Sequence, residues 1–331
     1  MSKDIVLLTG AGFTKNFDGF LSSDMWEQFF NNPKMPDELK ILMKKGSKGD
    51  DDYFNYEDVV QTVSTVDKYI GFGNDIKTVV EETYIRQEQR IDADVIEHRL
   101  MVDKFRDFIF ANISLFFTLN QDTFVEKYLH KKENQVLTLP FLEADVSKKD
   151  KEVIFKLPTE KDLQHALNII PILKGDRFVN YIKLHGSRNW YDSQGKNFPV
   201  IGKNKREMIE KEPLLKKYYE YFSDSLNNSK KLLIIGYSFL DKHINEIIRD
   251  GVIKGLKLFI VDAISSKQLW VNLMAIPHNS SPVVYNISDS HKRILREIWP
   301  GVSGYLKINN IDDLLGNDHS DINDIFPVLF V

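Results

Sequence analysis

The sequence predicts an α/β fold, a Rossmann-like parallel sheet of about six strands with helices on both faces and a helical insertion or lobe. Three observations predict it. Five runs rich in Ile, Val, Leu and Phe are continuously apolar rather than alternating, as strands buried on both faces of a parallel sheet must be. Four of the five end in a small or polar group, which collects reactive side chains at strand C-termini, the edge where open α/β sheets bind ligands. Between the first run and the second lies a long segment of helical periodicity, too long for an ordinary crossover.

The first run, "DIVLLTG" at 4–10, leads into a glycine turn, "GAGFTKNFDG". Helical periodicity follows in "SSDMWEQFF", "NYEDVVQTVSTVDKYIGF", "DIKTVVEETYIRQEQRI" and "VIEHRLMVDKFRDFIFANI", which assigns the helical insertion to about 20–110. The remaining runs are "ISLFFTLN" at 113–120, "YIKLHG" at 181–186, "KKLLIIGYS" at 230–238 and "LKLFIVDA" at 256–263, with a weaker sixth, "PVVYNIS", at 282–288. The charged stretches at 44–52 and 145–153 read as exposed loops. The chain from about 291 to 331 reads as an appendage of one or two helices. All 331 residues are expected to form a single domain.

Composition bounds the chemistry. There is no cysteine, which excludes disulfides, a thiol nucleophile and any cysteine-ligated zinc or iron-sulfur site. A formal charge of -4 gives no global attraction to a polyanion, so direct nucleic-acid binding is not expected. The apolar run near the N-terminus is shorter than a signal segment, and no stretch approaches the roughly 20 apolar residues of a membrane span. A soluble, cytoplasmic protein is expected.

Each strand end offers a functional and a structural reading. Gly10-Ala11-Gly12 after a strand lets the backbone approach a diphosphate, but the position three after Gly12 is Lys15, so the full dinucleotide fingerprint is absent. Asn120 and Asp122 follow the second run, where helix capping would also explain them. His185 ends the third run beside Gly186, and a buried histidine satisfied by a structural hydrogen bond is the plain alternative. Gly236 and Ser238 end the fourth, ahead of a helix whose Asp241 and His243 read as surface or capping residues. Asp262 ends the fifth, placed as a ribose-hydroxyl acceptor would be.

The ordered set "TGAGFT", "TLNQD", "KLHGSRNW" and "IIGYS" resembles the sirtuin-like NAD-binding domain, and more closely its prokaryotic defence-associated branch than the protein deacylases. The resemblance spans roughly residues 4–290. It implies that Gly10, Ala11, Gly12 and Thr14 cradle phosphates, that Asn120 and Asp122 line the nicotinamide-ribose pocket, and that His185 is the catalytic base. Gly236 and Ser238 would be further phosphate and ribose contacts, with Asp262 matched by location alone. Two departures stand out. The deacylases carry a four-cysteine zinc module that this chain cannot build. They also follow the glycine turn with G-I-P-D-F-R, where this chain has "FDGFLSSDMW"; Asp24 takes the acidic position, but no arginine follows it.

The resemblance implies an NAD hydrolase that releases nicotinamide and ADP-ribose, with NAD as substrate, Asn120 and His185 as the catalytic pair and no metal. It further implies an effector of anti-phage defence by NAD depletion, regulated by homo-oligomerisation or by a separately encoded partner, an ATPase or a nucleic-acid-guided protein. The alternative is a sensor that binds NAD or ADP-ribose without turnover.

Overall fold

The computed structural model describes residues 5–46, 56–132, 134–146, 153–166, 177–191, 197–202, 204–274 and 288–309. Its strands are β1 (Ile5–Thr9), β2 (Ile113–Thr118), β3 (Lys131–Lys132), β4 (Gln135–Thr138), β5 (Glu143–Val146), β6 (Val153–Lys156), β7 (Phe178–Lys183), β8 (Gly186–Tyr191), β9 (Asn197–Pro199), β10 (Lys231–Ile235), β11 (Lys257–Asp262) and β12 (Val302–Lys307). The main sheet has eight strands in the order β12-β11-β10-β1-β2-β7-β4-β3. All its neighbours run parallel except β3 against β4. The six strands β7-β2-β1-β10-β11-β12 reproduce the doubly wound order 3-2-1-4-5-6, whose direction reverses between β1 and β10.

The central strands β1, β2, β10 and β11 are covered on both faces, which is why they read as nearly continuous apolar runs. Val6, Leu8, Phe117, Ile182, Leu232, Ile234, Leu258 and Ile260 pack on one side. There they meet the helices Pro213–Asn228, Lys242–Ile253 and Asp289–Ile298. Leu7, Phe116, Tyr181, Leu233, Ile235, Phe259 and Val261 pack on the other side with residues of Gly73–Glu97 and Arg99–Asn112.

The helices Ser22–Asn31, Asp37–Gly46, Tyr56–Thr65 and Gly73–Glu97 lie between β1 and β2 in the chain. They share a separate apolar cluster that includes Phe20, Phe29, Leu39, Met43, Val59 and Val79. Having its own core is what lets so long a segment sit between two adjacent strands.

Three element readings are corrected. Of the stretch 145–153 read as loop, residues 145–146 and 153 belong to β5 and β6 of a second, four-stranded sheet of order β5-β6-β8-β9, and 147–152 lie outside the described residues. The charged stretch from 44 begins inside the helix Asp37–Gly46. Beyond 291 the chain forms a helix and then the edge strand β12, whose residues are only partly buried and so carry a weak apolar signal. The run predicted at 282–288 lies outside the described residues except for Ser288, the N-cap of Asp289–Ile298, and 310–331 lie outside them as well. Among the described residues, no helix is long and apolar enough to cross a membrane.

Candidate functional site

Strand register brings the predicted residues to one edge. Thr9 aligns with Thr118 and Ile235, Thr118 with Lys183, and Ile235 with Val261. Gly10, Asn120, His185, Gly236 and Asp262 therefore lie one or two residues beyond a common level, at the C-terminal ends of five adjacent strands. Gly10 and Gly236 flank the point where strand order reverses, the position at which a crevice opens in such sheets.

There the two loops are clasped backbone to backbone. The Gly10 amide donates to Ile235 O and the Gly12 amide to Gly236 O, each at 3.0 Å. A Cβ on Gly10 would fall 2.6 Å from Gly236 O, and one on Gly12 2.8 Å from Gly236 Cα. The glycines thus serve a close approach of two strands' loops, and their own amides are already used. Ala11 is exposed, and its amide has no backbone partner among the described residues; it is the donor this turn can offer a ligand.

Asn120 is held across that clasp. Its Nδ2 donates to Gly10 O at 3.0 Å and to the buried Thr14 Oγ1 at 3.3 Å, while its amide donates to Thr118 Oγ1 at 3.1 Å. With Nδ2 so occupied, Oδ1 is left as an acceptor toward the edge. The side chain is not a helix cap.

Asp122 is placed differently. It is buried beneath the loop and accepts Phe124 N at 3.1 Å, a local turn bond. Burial pushes its carboxyl up to about 6 against the opposing pull of Lys183. Fully buried Lys183 in turn donates to Asp122 O, Glu126 and Ser187, pinning the loop from below.

Asp24 is also occupied. It accepts Leu21 N and pairs with Lys15, both at 2.8 Å, which ties the helix Ser22–Asn31 to the short turn of helix at 11–15. Asp262 accepts Ile264 N at 3.2 Å, and Ser238 lies half-buried in the loop after Gly236.

The run through His185 bends sharply. Gly186 has φ +69°, a left-handed conformation natural to glycine, and with it the chain leaves β7 and enters β8 of the second sheet. The His185 carbonyl accepts Val200 N at 2.9 Å and Gln121 Nε2 at 3.3 Å, which fixes its backbone. The residue is 3% exposed. Burial, with Lys205 and His243 adding to it and Asp241 opposing, holds the imidazole well below its ordinary value.

The structure adds side chains to this site that the sequence reading assigned elsewhere. His243 Nε2 lies 3.3 Å from His185 Nε2, and Tyr219 flanks the His243 ring at 5.6 Å. Lys205 Nζ is 2.9 Å from both Asp241 and Glu57. Burial alone would raise the Asp241 carboxyl; Lys205 and the two imidazoles overcome it and hold it well below the carboxylate range. Asp241 and His243 are thus members of a partly buried polar network and not free surface or capping groups. Asp241 sits at the N-cap position of Lys242–Ile253, but its side chain makes no cap bond. The motif "DKHIN" directly after "GYSFL" was the available signal; nothing in the sequence singles out Lys205 or Glu57.

His185, Asp241 and His243 bring polar atoms within 4.8 Å of one another, near enough to share a cation. Here the group closes on itself instead, with the imidazoles hydrogen-bonded to each other and the carboxylate matched by an ammonium. A cavity of about 530 Å³ opens elsewhere, between the 18–20 loop and the helices Ser22–Asn31 and Gly73–Glu97. Asp18 and Arg90, an ion pair, both line it, and it shares no residue with the strand edge.

Fold and edge together define a doubly wound, Rossmann-like sheet whose strand-end residues gather beside its switch point. Residues 114–257 match the family model of the SIR2-like domain. The match includes Asn120, His185, Gly236, Asp241 and His243; the glycine turn precedes it. No curated protein matches the chain. Similar solved structures include Sir2Tm bound to a propionylated peptide, at 13% identity over 88% of this chain and 92% of that one, TM-score 0.32. A Sir2 complex with a p53 peptide and NAD+ gives 15% identity over 88% and 92%, TM-score 0.29.

Proposed function

We propose that the protein is an NAD glycohydrolase that cleaves the nicotinamide-ribose bond and releases nicotinamide and ADP-ribose. The observation that carries this is the delivery of Asn120 and His185, by the adjacent strands β2 and β7, to the edge where Gly10 and Gly12 clasp Gly236. The pyridinium of NAD is already a good leaving group, so departure needs little acid and generates an oxocarbenium-like ribose. Asn120 Oδ1 serves to orient a ribose hydroxyl or the attacking water by position and dipole. His185, kept neutral by burial, accepts the water's proton. Protein deacylation is disfavoured because a chain without cysteine lacks the zinc module that shapes the acyl-peptide groove. In a cell such an activity would act as a defence effector through NAD depletion, restrained by self-association or by a separately encoded partner.

The test is incubation of the purified protein with NAD, alone and with the product of its neighbouring gene, with nicotinamide and ADP-ribose followed by chromatography. Equimolar release of both is expected. Tight NAD binding without nicotinamide release in every condition would replace the enzyme with a sensor.

The pH profile supplies a second check. A base with an ordinary imidazole pKa would lose half its activity near pH 6.5. Because the His185 value is lowered, its unprotonated form persists through that range. kcat/KM is expected to stay level from pH 8 to about 6, with its acid limb below. A limb centred at 6.5 or higher would exclude buried His185 as the base.

A further inference from the structure

We infer that His243 is a positioning residue for His185: it accepts the Nε2–H of His185 and so fixes the tautomer in which Nδ1 holds the lone pair. This deepens the NAD-cleaving reading and rests on it.

The geometry begins with the two Nε2 atoms at 3.3 Å, their rings tilted by 42°. Between neutral imidazoles one nitrogen donates and the other accepts. If His243 donated, His185 would carry its remaining proton on Nδ1 and have no basic nitrogen free. In the opposite direction Nδ1 is bare, and it has no hydrogen-bond partner among the described residues. Only that arrangement leaves a base. The His185 backbone is anchored independently by Gln121 and Val200, so the bond to His243 is what remains to set the ring's orientation.

His243 is itself rigidly placed. It lies in the first turn of Lys242–Ile253, two residues after Asp241, which Lys205 ties to Glu57 on the helix Tyr56–Thr65. The groups facing the imidazole pair are Asp241, Lys205 and Tyr219, with Glu57, Arg206 and His291 farther out. Asp241 is the anion nearest a charge formed on either ring.

In the reaction the C1′–N bond breaks with its electron pair passing to the nicotinamide ring nitrogen. A water oxygen bonds to C1′, and its proton goes to His185 Nδ1. The resulting imidazolium keeps its Nε2–H bond to His243 and faces Asp241, then returns the proton to solvent. This is the logic of a base oriented by a second group, here with a carboxylate within 4.8 Å of the charge that forms.

The experiment compares His243→Phe and His243→Gln in the full chain. Phenylalanine fills the space without accepting a hydrogen bond, whereas the glutamine amide oxygen can accept one. Phe is expected to lower kcat by about tenfold to a hundredfold, with NAD affinity unchanged by direct binding measurement, and Gln to recover most of the loss. A folded Phe variant with wild-type kcat would overturn the inference.

A readout independent of turnover is the nitrogen-15 spectrum of the His185 ring. It is expected to show a proton on Nε2 and a bare Nδ1 in the wild type, and a mixture of tautomers in the Phe variant. A proton found on Nδ1 in the wild type overturns the inference even if NAD proves not to be the substrate. The expected spectrum from a protein that leaves NAD intact would instead fail the glycohydrolase reading alone.

Discussion

Replacing His185 with alanine is expected to lower NAD cleavage by about 10² or more, the usual loss when a general base is removed. The fold is expected to survive, since the residue sits at a strand end and its backbone is held by Gln121 and Val200 through the carbonyl, which alanine keeps. A stability cost of up to about 1–3 kcal/mol should accompany the change, because the partly buried His243 Nε2 loses its partner. Denaturant unfolding with unchanged m-value would separate that cost from unfolding of the site. Asn120→Ala is expected to act with similar size and by a different route. It removes the amide that bridges Gly10 O and Thr14 Oγ1 along with the acceptor beside them, so the NAD binding constant should worsen as well as kcat. Near-normal nicotinamide release by folded His185→Ala protein would remove the histidine from the mechanism.

Much of the sheet was readable because parallel strands buried on both faces must be apolar at every position. "IVLLT", "ISLFFT" and "KLFIVD" announce themselves. The second sheet was not, and the reason is visible in "GSRNWY". There Ser187 and Asn189 are buried as fully as Trp190, so neither a continuous nor an alternating apolar signal survives.

The candidate site divides along a similar line. Gly10, Asn120, His185 and Gly236 each closely follow a strong strand, and register carries them to one edge. Asp122 also ends a strong strand, yet its side chain turns under the loop; spacing along a sequence does not say which way a residue faces after the strand has ended. Lys205, Asp241 and Glu57 come from three segments far apart in the chain and meet only through tertiary packing. Charged residues in helical stretches ordinarily signal solvent, so burial reversed their meaning.

Gly236→Ala is expected to be the most damaging single-methyl change at this edge. Two independent penalties converge on the position. Its φ of +62° is left-handed, costing an alanine about 1–2 kcal/mol. The added Cβ would also lie 2.3 Å from Phe13 N and 2.4 Å from Gly12 C, both backbone atoms that no side-chain rotation can move. Relief requires the glycine-turn loop to withdraw from the end of β10, which breaks the bond from Gly12 N to Gly236 O and shifts Gly10 O, the anchor of Asn120.

Overpacking adds about 1–3 kcal/mol, so a loss of roughly 2–5 kcal/mol in urea unfolding is expected, with NAD binding abolished in whatever fraction stays folded. Gly255→Ala provides the control. That glycine also has positive φ, but a Cβ there meets nothing within 4 Å, so it should show the conformational cost alone and leave NAD binding intact. If the two variants were equally stable and both bound NAD, the close approach of the two loops would not be what shapes the site.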